Sequence, residues 1–389
     1  MRIGIDIRGL LTGQRSGIEQ YTLKILEQIL KIDQHNIYVL FYVSYRDLDA
    51  RFAALLVEAP FLRQANVEIK KLIWVNFPLL LHALWKPLDW PKADLVCGGL
   101  DVMWQPSPRL LPVSKRCQTV ITFHDLVFEL FPEFYTWQSR LWQWQMSYPY
   151  LARTADRLIA VSRNTKNDLV KLYRVDPAKI AVIYEGVDPA YFIPPDPSIL
   201  ANLRQRFNIT EDYLYYVGSS EPRKNILAAV RGLEYLKQQE FVKMKLVISG
   251  GKSWLNEAIF AEIEKLSLKE AVVFTGFVTE AEKIALLRNA KAFIFPSFYE
   301  GFGLPVLEAM AAGCPVITSR VSSLPEVAGE AAILIDPTNQ EEINSNLLKL
   351  MTDAVWAQEL SRKGQARARQ FTWEQTAAMT LNILTNGGK

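Results

Sequence analysis

The sequence predicts an α/β protein of two doubly wound domains, on three observations. Its 389 residues exceed what one hydrophobic core usually serves, since cores stop growing near roughly 250–300 residues. Short β-rich runs alternate with helix-period apolar faces, the pattern of βαβ units and parallel sheets. Near the middle, Gly186-Val187-Asp188 is followed by Pro189, Pro194, Pro195 and Pro197, residues that favour turns and linkers. The predicted division is 1–185, 186–370 and a C-terminal helix over 371–389 that returns to the first domain. Two doubly wound domains facing each other would enclose a central cleft, with ligands at the carboxyl ends of the strands.

The elements follow in order. Arg2–Ile7 reads as a strand. A loop carrying Gly9, Gly13 and Gly17 comes next, then a helix whose apolar face is Ile18, Tyr21, Ile25, Ile29 and Leu30. Ile37–Tyr42, Thr119–Phe123, Arg157–Val161 and Ile180–Tyr184 are the further strands of the first half. In the second half the strands are Tyr213–Val217, Lys245–Ser249, Ala271–Thr275, Ala292–Phe295, Val316–Thr318 and Ala332–Ile335. A helix opens near Ile226 with the stripe Ile226, Leu227, Val230, Leu233 and Leu236.

Composition narrows the function classes. Half the residues are apolar and 22% are charged, as in ordinary globular proteins. A net charge of +3 gives no reason to expect a nucleic-acid partner. The three cysteines, Cys97, Cys117 and Cys314, are far apart, odd in number and without metal spacing, which points to a reducing, cytoplasmic setting and no bound metal. The N-terminus reads as a strand rather than a signal peptide. No apolar run reaches the roughly 18 residues of a membrane span. Two aromatic stretches, 74–86 and 134–150, carry Trp beside Lys and Arg. They suit either internal packing or a peripheral contact at the inner membrane face.

The segment from Phe295 to Met310 carries most of the chemistry. It leaves a strand, passes Tyr299-Glu300-Gly301-Phe302-Gly303-Leu304-Pro305 and opens a helix, with Gly313 at the exit. Pro suits the first helical turn. Gly301 and Gly303 allow close backbone approach to a ligand, and a helix start attracts anions such as a diphosphate. Glu300 lies before the helix and Glu308 about one turn inside it. A solvated loop with two surface carboxylates accounts equally well for the spacing alone.

Glu300 and Glu308 form a Glu-x7-Glu motif. The run continues through Gly313-Cys314-Pro315-Val316-Ile317, Ser323-Leu324-Pro325-Glu326-Val327-Ala328-Gly329 and Asp336-Pro337, and it resembles glycosyltransferase family 4. The resemblance implies the GT-B fold with an acceptor domain first and a nucleotide-sugar donor domain second. It also implies transfer with retention and no required metal or other cofactor. Glu300 would then contact donor-sugar hydroxyls, Glu308 the ribose, and the Gly301–Leu304 backbone the diphosphate.

Three further segments resemble the family. In Gly218-Ser219-Ser220-Glu221-Pro222-Arg223-Lys224-Asn225, Lys224 matches the phosphate-binding lysine. Ser219 stands where many members have Arg, so either Arg223 would take over that role or Lys224 would act alone. His124, in Thr122-Phe123-His124-Asp125, matches a histidine near the donor sugar, and Asp125 would meet the acceptor. Gly13 and Gly17 match the glycine loop after the first strand. Glu185-Gly186-Val187-Asp188 departs from the usual Asn at its first position. The loop and His-Asp segments look like bacterial mannosyltransferases of surface-polysaccharide synthesis. They imply GDP-mannose as donor, with a UDP-sugar as alternative, and a lipid-linked or oligosaccharide acceptor. A nicotinamide oxidoreductase fails on the glycine spacing of the first loop. A non-catalytic nucleotide- or carbohydrate-binding protein is the remaining alternative.

Overall fold

The computed structural model describes residues 1–11, 17–44, 48–73, 90–251 and 257–386. Gly13 and the stretch 74–86 lie outside these residues, as do the side chains of Trp142 and Trp144. The chain divides into two compact units, Met1–Gly186 with Thr372–Lys389, and Val187–Phe371.

The first unit contains β1 (Arg2–Asp6), α1 (Gly17–Ile32), β2 (Ile37–Ser44), β3 (Val67–Ile73), β4 (Val102–Gln105), β5 (Gln118–Phe123), α2 (Trp137–Met146), β6 (Arg157–Ala160) and β7 (Ile180–Val182). The described strands form a seven-stranded sheet in the order β3-β2-β1-β4-β5-β6-β7, with parallel pairing throughout. Such sheets are covered on both faces, so their strands are apolar along their length. Ile3, Ile5, Val39 and Phe41 are all fully buried, each contributing about 1.5–3 kcal/mol of burial free energy. α1 buries Tyr21, Ile25, Leu26, Ile29 and Leu30. Ile18, predicted on that face, is exposed. Replacing Ile25 by Ala would cost about 2–5 kcal/mol through the cavity left behind.

The second unit contains α3 (Pro197–Phe207), β8 (Tyr213–Val217), α4 (Ile226–Gln238), β9 (Lys245–Ser249), β10 (Val272–Gly276), α5 (Glu280–Asn289), β11 (Ala292–Phe295), α6 (Leu304–Ala311), β12 (Val316–Ser319) and β13 (Ile333–Ile335). Its described strands form a parallel six-stranded sheet, β10-β9-β8-β11-β12-β13. Two of the four prolines after Val187 lie in helical turns, and Pro194 and Pro195 stand in the irregular stretch between them. Pro189 and Pro197 open helical turns capped by the Asp188 and Asp196 carboxylates, where a missing N–H costs nothing. A last helix, α7 (Trp373–Asn386), packs against α1 in the first unit. Gly186 is needed there, because a Cβ would lie 2.3 Å from the Trp373 nitrogen.

Two strands escaped the sequence reading. β3 is Val-Glu-Ile-Lys-Lys-Leu-Ile at the sheet edge, where charged residues blur the apolar signal. β4 has only four residues. With β4 placed, strand order reverses between β1 and β4 in the first unit and between β8 and β11 in the second. These are the topological switch points, where open α/β sheets bind ligands beyond the strand ends. Among the described residues, no helix is long and apolar enough to cross a membrane.

Candidate functional site

At the switch point of the second unit, β8 leads into a 3₁₀ turn, Pro222–Lys224, and β11 leads into the loop before α6. These connections bring Lys224, Arg223 and Glu300 together. Lys224 Nζ lies 2.6 Å from Glu300 Oε1, and Arg223 Nη1 lies 3.2 Å from Oε2. Arg223 also donates to Glu221 Oε2 at 2.8 Å and to the Tyr299 carbonyl at 3.1 Å. Ser297 Oγ sits 2.8 Å from Glu300 Oε1, and the Glu300 N–H donates to Ser322 Oγ at 3.0 Å. Glu300 is therefore not a solvated loop residue; it is 7% exposed and Lys224 8%. Burial pushes the Glu300 carboxyl up, but Lys224 and Arg223 outweigh it and hold it below the ordinary carboxylate range. Burial, reinforced by Arg223, lowers the Lys224 ammonium against the pull of Glu300.

Glu308 has different company. Lys283 of α5 contacts both of its oxygens, at 3.1 and 3.0 Å, and reaches Glu280 at 3.0 Å. The buried Tyr191 hydroxyl donates to Glu280 at 2.6 Å. Burial raises the Glu308 carboxyl, opposed by Lys283 and reinforced by Glu280. Burial lowers the Lys283 ammonium, but the two carboxylates outweigh it and hold it above its ordinary value. Lys283 was missed in the sequence. It lies far along the chain from the motif, and a lysine on a helix reads by default as solvated surface.

Between the two carboxylates, Gly303 stands before α6 at φ +108°, where an added Cβ would also meet Leu324 at 2.8 Å. Val306 and Leu307 turn their N–H groups to the Gly303 carbonyl, and Pro305 has none. The Leu304 N–H is left without a backbone partner among the described residues, at the positive end of the helix. Phe302 packs edge-on against Phe371 with Gly301 buried beside it. The Gly218 N–H donates to the Ser249 carbonyl at 2.9 Å.

In the first unit His124 follows β5. Its Nε2 lies 2.9 Å from the Pro106 carbonyl and its Nδ1 3.3 Å from Glu185 Oε1. The Tyr21 ring meets the imidazole edge-on, centroids 4.7 Å apart. A carbonyl only accepts, so the contact with Pro106 puts a proton on Nε2. The Nδ1 contact gives Glu185 a role: it is 5% exposed and faces the imidazole. Both ring nitrogens are engaged, so a sugar contact by His124 requires one of them to exchange partners. Asp125 accepts from the Val127 N–H at 3.3 Å, a local turn bond. Gly17 begins α1. Trp137, in the second aromatic stretch, is 70% exposed. Among the described residues, no three His, Cys, Asp or Glu side chains gather as a metal site would need.

Comparisons with known proteins agree with this architecture. Residues 15–191 match the model of Glycosyltransferase Family 4, and residues 201–371 that of Glycosyl transferases group 1. The O-antigen chain mannosyltransferase B of Escherichia coli is 30% identical over 266 residues, covering 68% of this chain and 69% of that protein. The MMP alpha-(1->4)-mannosyltransferase of Mycolicibacterium hassiacum is 29% identical, covering 60% of this chain and 54% of that protein. For a serotype-specific mannosyltransferase WbdA of Escherichia coli at 28% identity, the matched part is 69% of this chain but only 33% of that protein. Among solved structures, Anabaena Alr3699/HepE in complex with UDP and glucose superposes with a TM-score of 0.74 at 18% identity, covering 99% of this chain and 100% of that one. WaaG, a glycosyltransferase involved in lipopolysaccharide biosynthesis, superposes at 0.71 with 17% identity and covers 99% and 100%. The chain belongs to glycosyltransferase family 4, with the two doubly wound α/β units of the GT-B fold.

Proposed function

We propose that this protein transfers mannose from GDP-mannose to a lipid-linked or oligosaccharide acceptor, with retention of anomeric configuration and without a metal. The observation that carries the reading is the buried Lys224–Glu300–Arg223 cluster at the β8–β11 switch point. Breaking the bond between the anomeric carbon and the diphosphate leaves negative charge on the leaving group and positive charge on the sugar. Lys224, Arg223 and the start of α6 stabilise the first. Glu300, kept ionised by its two cations, faces the second and accepts from sugar hydroxyls. Glu308 accepts from the ribose. The departing phosphate takes the proton of the attacking hydroxyl, so no protein nucleophile is assigned. His124 and Asp125 belong to the sugar and acceptor contacts of the first unit, and the exposed Trp137 to a peripheral membrane contact.

The mannosyl choice is supported by the relatives, whose names describe mannosyltransferases. A UDP-sugar is the second reading, favoured by the UDP and glucose in the complex of a structural neighbour. Thermal stabilisation by GDP, UDP and their sugars separates the two, because a ligand that binds the native state raises the melting temperature. GDP-mannose should give the largest shift. A larger shift with UDP-glucose than with GDP-mannose refutes the mannosyl assignment.

A further inference from the structure

The switch point of the first unit holds a cation that the sugar-transfer chemistry does not use. Asp6 ends β1 and is 6% exposed. Arg8 closes on it: Nε lies 2.9 and 3.0 Å from the two carboxylate oxygens, Nη2 lies 2.6 Å from Oδ2, and the Arg8 backbone N–H donates to Oδ1 at 3.0 Å. Both oxygens of Asp6 are thereby taken. Arg109 arrives from the other side of the switch point, just beyond β4. Its backbone N–H donates to Gln105 Oε1 at 3.1 Å, which anchors the turn. Its Nη2 lies 3.7 Å from where a Cβ on Gly9 would stand, so the guanidinium lies against bare backbone.

Among the described residues, no carboxylate, carbonyl or hydroxyl accepts a hydrogen bond from that guanidinium. The titratable groups that act on it through space are Asp6, Arg8, Tyr148 and, most weakly, Glu19. Asp6 is already closed by Arg8. Burial lowers the pKa of Arg109 and the Arg8 charge adds to this, against Asp6. Arg109 is half-buried, and a guanidinium has five donors, each of them costly to turn from water without an acceptor. The Tyr148 phenol is pushed up to about 12 by burial and stays protonated. With Asp6 closed by Arg8, the Arg109 guanidinium keeps donors for a further acceptor. The place beyond the strand ends at a switch point is where phosphorylated ligands bind in open α/β sheets, and a guanidinium fork suits phosphate oxygens.

We propose that Arg109, with the charge of Arg8 acting in the same place, binds a phosphoryl group at the β1–β4 switch point. Resting on the transferase reading, this group is the phosphate or diphosphate of the acceptor. The segment that carries Arg109 also carries the Pro106 carbonyl that holds His124, so an acceptor anchored by its phosphate would place its sugar end along the same strand edge. The donor diphosphate is assigned separately, to Lys224 in the second unit.

The test titrates inorganic phosphate, and acetate at equal ionic strength, into the full-length protein and its Arg109→Gln, Arg109→Lys and Lys224→Gln variants by calorimetry. Phosphate should bind the wild type in preference to acetate. Affinity should fall about tenfold or more in Arg109→Gln, the loss of roughly 1.4 kcal/mol, and by less in Arg109→Lys, which keeps the charge and loses the fork. Lys224→Gln should leave this component in place. Equal phosphate affinity in the wild type and both Arg109 variants overturns the site. Phosphate binding that depends on Lys224 alone overturns it too, while leaving the transferase reading intact. Equal acetate binding overturns the phosphoryl assignment. Kinetics with a mannoside phosphate and the same mannoside without phosphate give the second arm: Arg109→Lys should raise KM for the phosphorylated acceptor alone and leave the donor KM unchanged. If no nucleotide sugar supports transfer while phosphate binding still depends on Arg109, the anion site stands and the transferase reading falls.

Discussion

Glu300 and Glu308 share a motif and a residue type, and both are buried at 7% and 5% exposure. Their surroundings give them opposite chemistry. Glu300 is held by two cations, with Lys224 at 2.6 Å and Arg223 at 3.2 Å. Glu308 shares a single lysine with a second carboxylate, Glu280. The first carboxyl is therefore depressed and stays ionised, and the second is raised. Arg223 also pairs with Glu221, so the first cluster is balanced, two cations for two carboxylates, and its lysine and arginine suit a place where negative charge develops. Carboxylate surplus to one cation suits neutral hydroxyls, which donate hydrogen bonds without adding charge. The motif alone does not say which glutamate does which. The counter-charges, drawn from other elements, decide it.

The largest difference between the two should appear in stability. Glu300→Ala leaves Lys224 and Arg223 buried around an empty place, and losing one partner of a buried ion cluster costs about 3–5 kcal/mol. The burial of Glu300 sets this cost. Glu308→Ala should cost less, since Lys283 keeps Glu280. Chemical denaturation of both variants measures this, and equal costs would erase the contrast. Next in size is turnover. Lys224→Ala should slow transfer by roughly 10²-fold or more, the scale of removing one preorganised charge stabiliser, and Arg223→Ala should slow it less because its guanidinium is shared with Glu221 and the Tyr299 carbonyl. Small and equal effects in steady-state assays would make the cluster a structural ion pair.

Glu308→Gln should act on binding, raising the donor KM by about tenfold, one lost charge-assisted hydrogen bond, with kcat nearly unchanged. A fall in kcat at constant KM would move Glu308 to the reacting centre. Acid stability gives a smaller contrast with a defined sign. The depressed Glu300 contributes stability at neutral pH that is lost as pH falls through its folded value. The raised Glu308 is ionised at a cost that disappears as pH falls. Glu300→Gln should therefore flatten the acid loss of stability, and Glu308→Gln should steepen it. Identical slopes in melting experiments from neutral to acid pH would contradict the assigned directions. The smallest effect is expected from exhaustive chelation: none on the transfer rate. Loss of activity restored by Mg²⁺ or Mn²⁺ would place the leaving-group charge on a metal instead.

Much of the second unit was legible because parallel strands buried on both faces read as continuous apolar runs. Glu300, Glu308 and Lys224 stood out through a long, specific motif. The physical state of those residues was not legible. Whether Glu300 is solvated or clasped depends on Lys224 and Arg223 folding back from a turn after a different strand. Lys283 lies on α5, where a lysine reads as surface. The partnership of His124 with Glu185 joins residues 61 apart in sequence, although the Glu in place of Asn was a visible departure. Arg109 sits beyond a four-residue strand, β4, too short to register by alternation. Without β4 the switch point of the first unit could not be placed.

The most direct test of the central contrast is one calorimetric comparison. GDP, which carries the diphosphate, and guanosine, which does not, are titrated into the wild type, Lys224→Ala and Glu308→Gln. If the Lys224–Arg223 cluster holds the diphosphate and the Glu308–Lys283 one the ribose, Lys224→Ala weakens GDP by about tenfold or more and leaves guanosine unchanged, while Glu308→Gln weakens both ligands alike. Wild-type GDP affinity in Lys224→Ala would contradict the account.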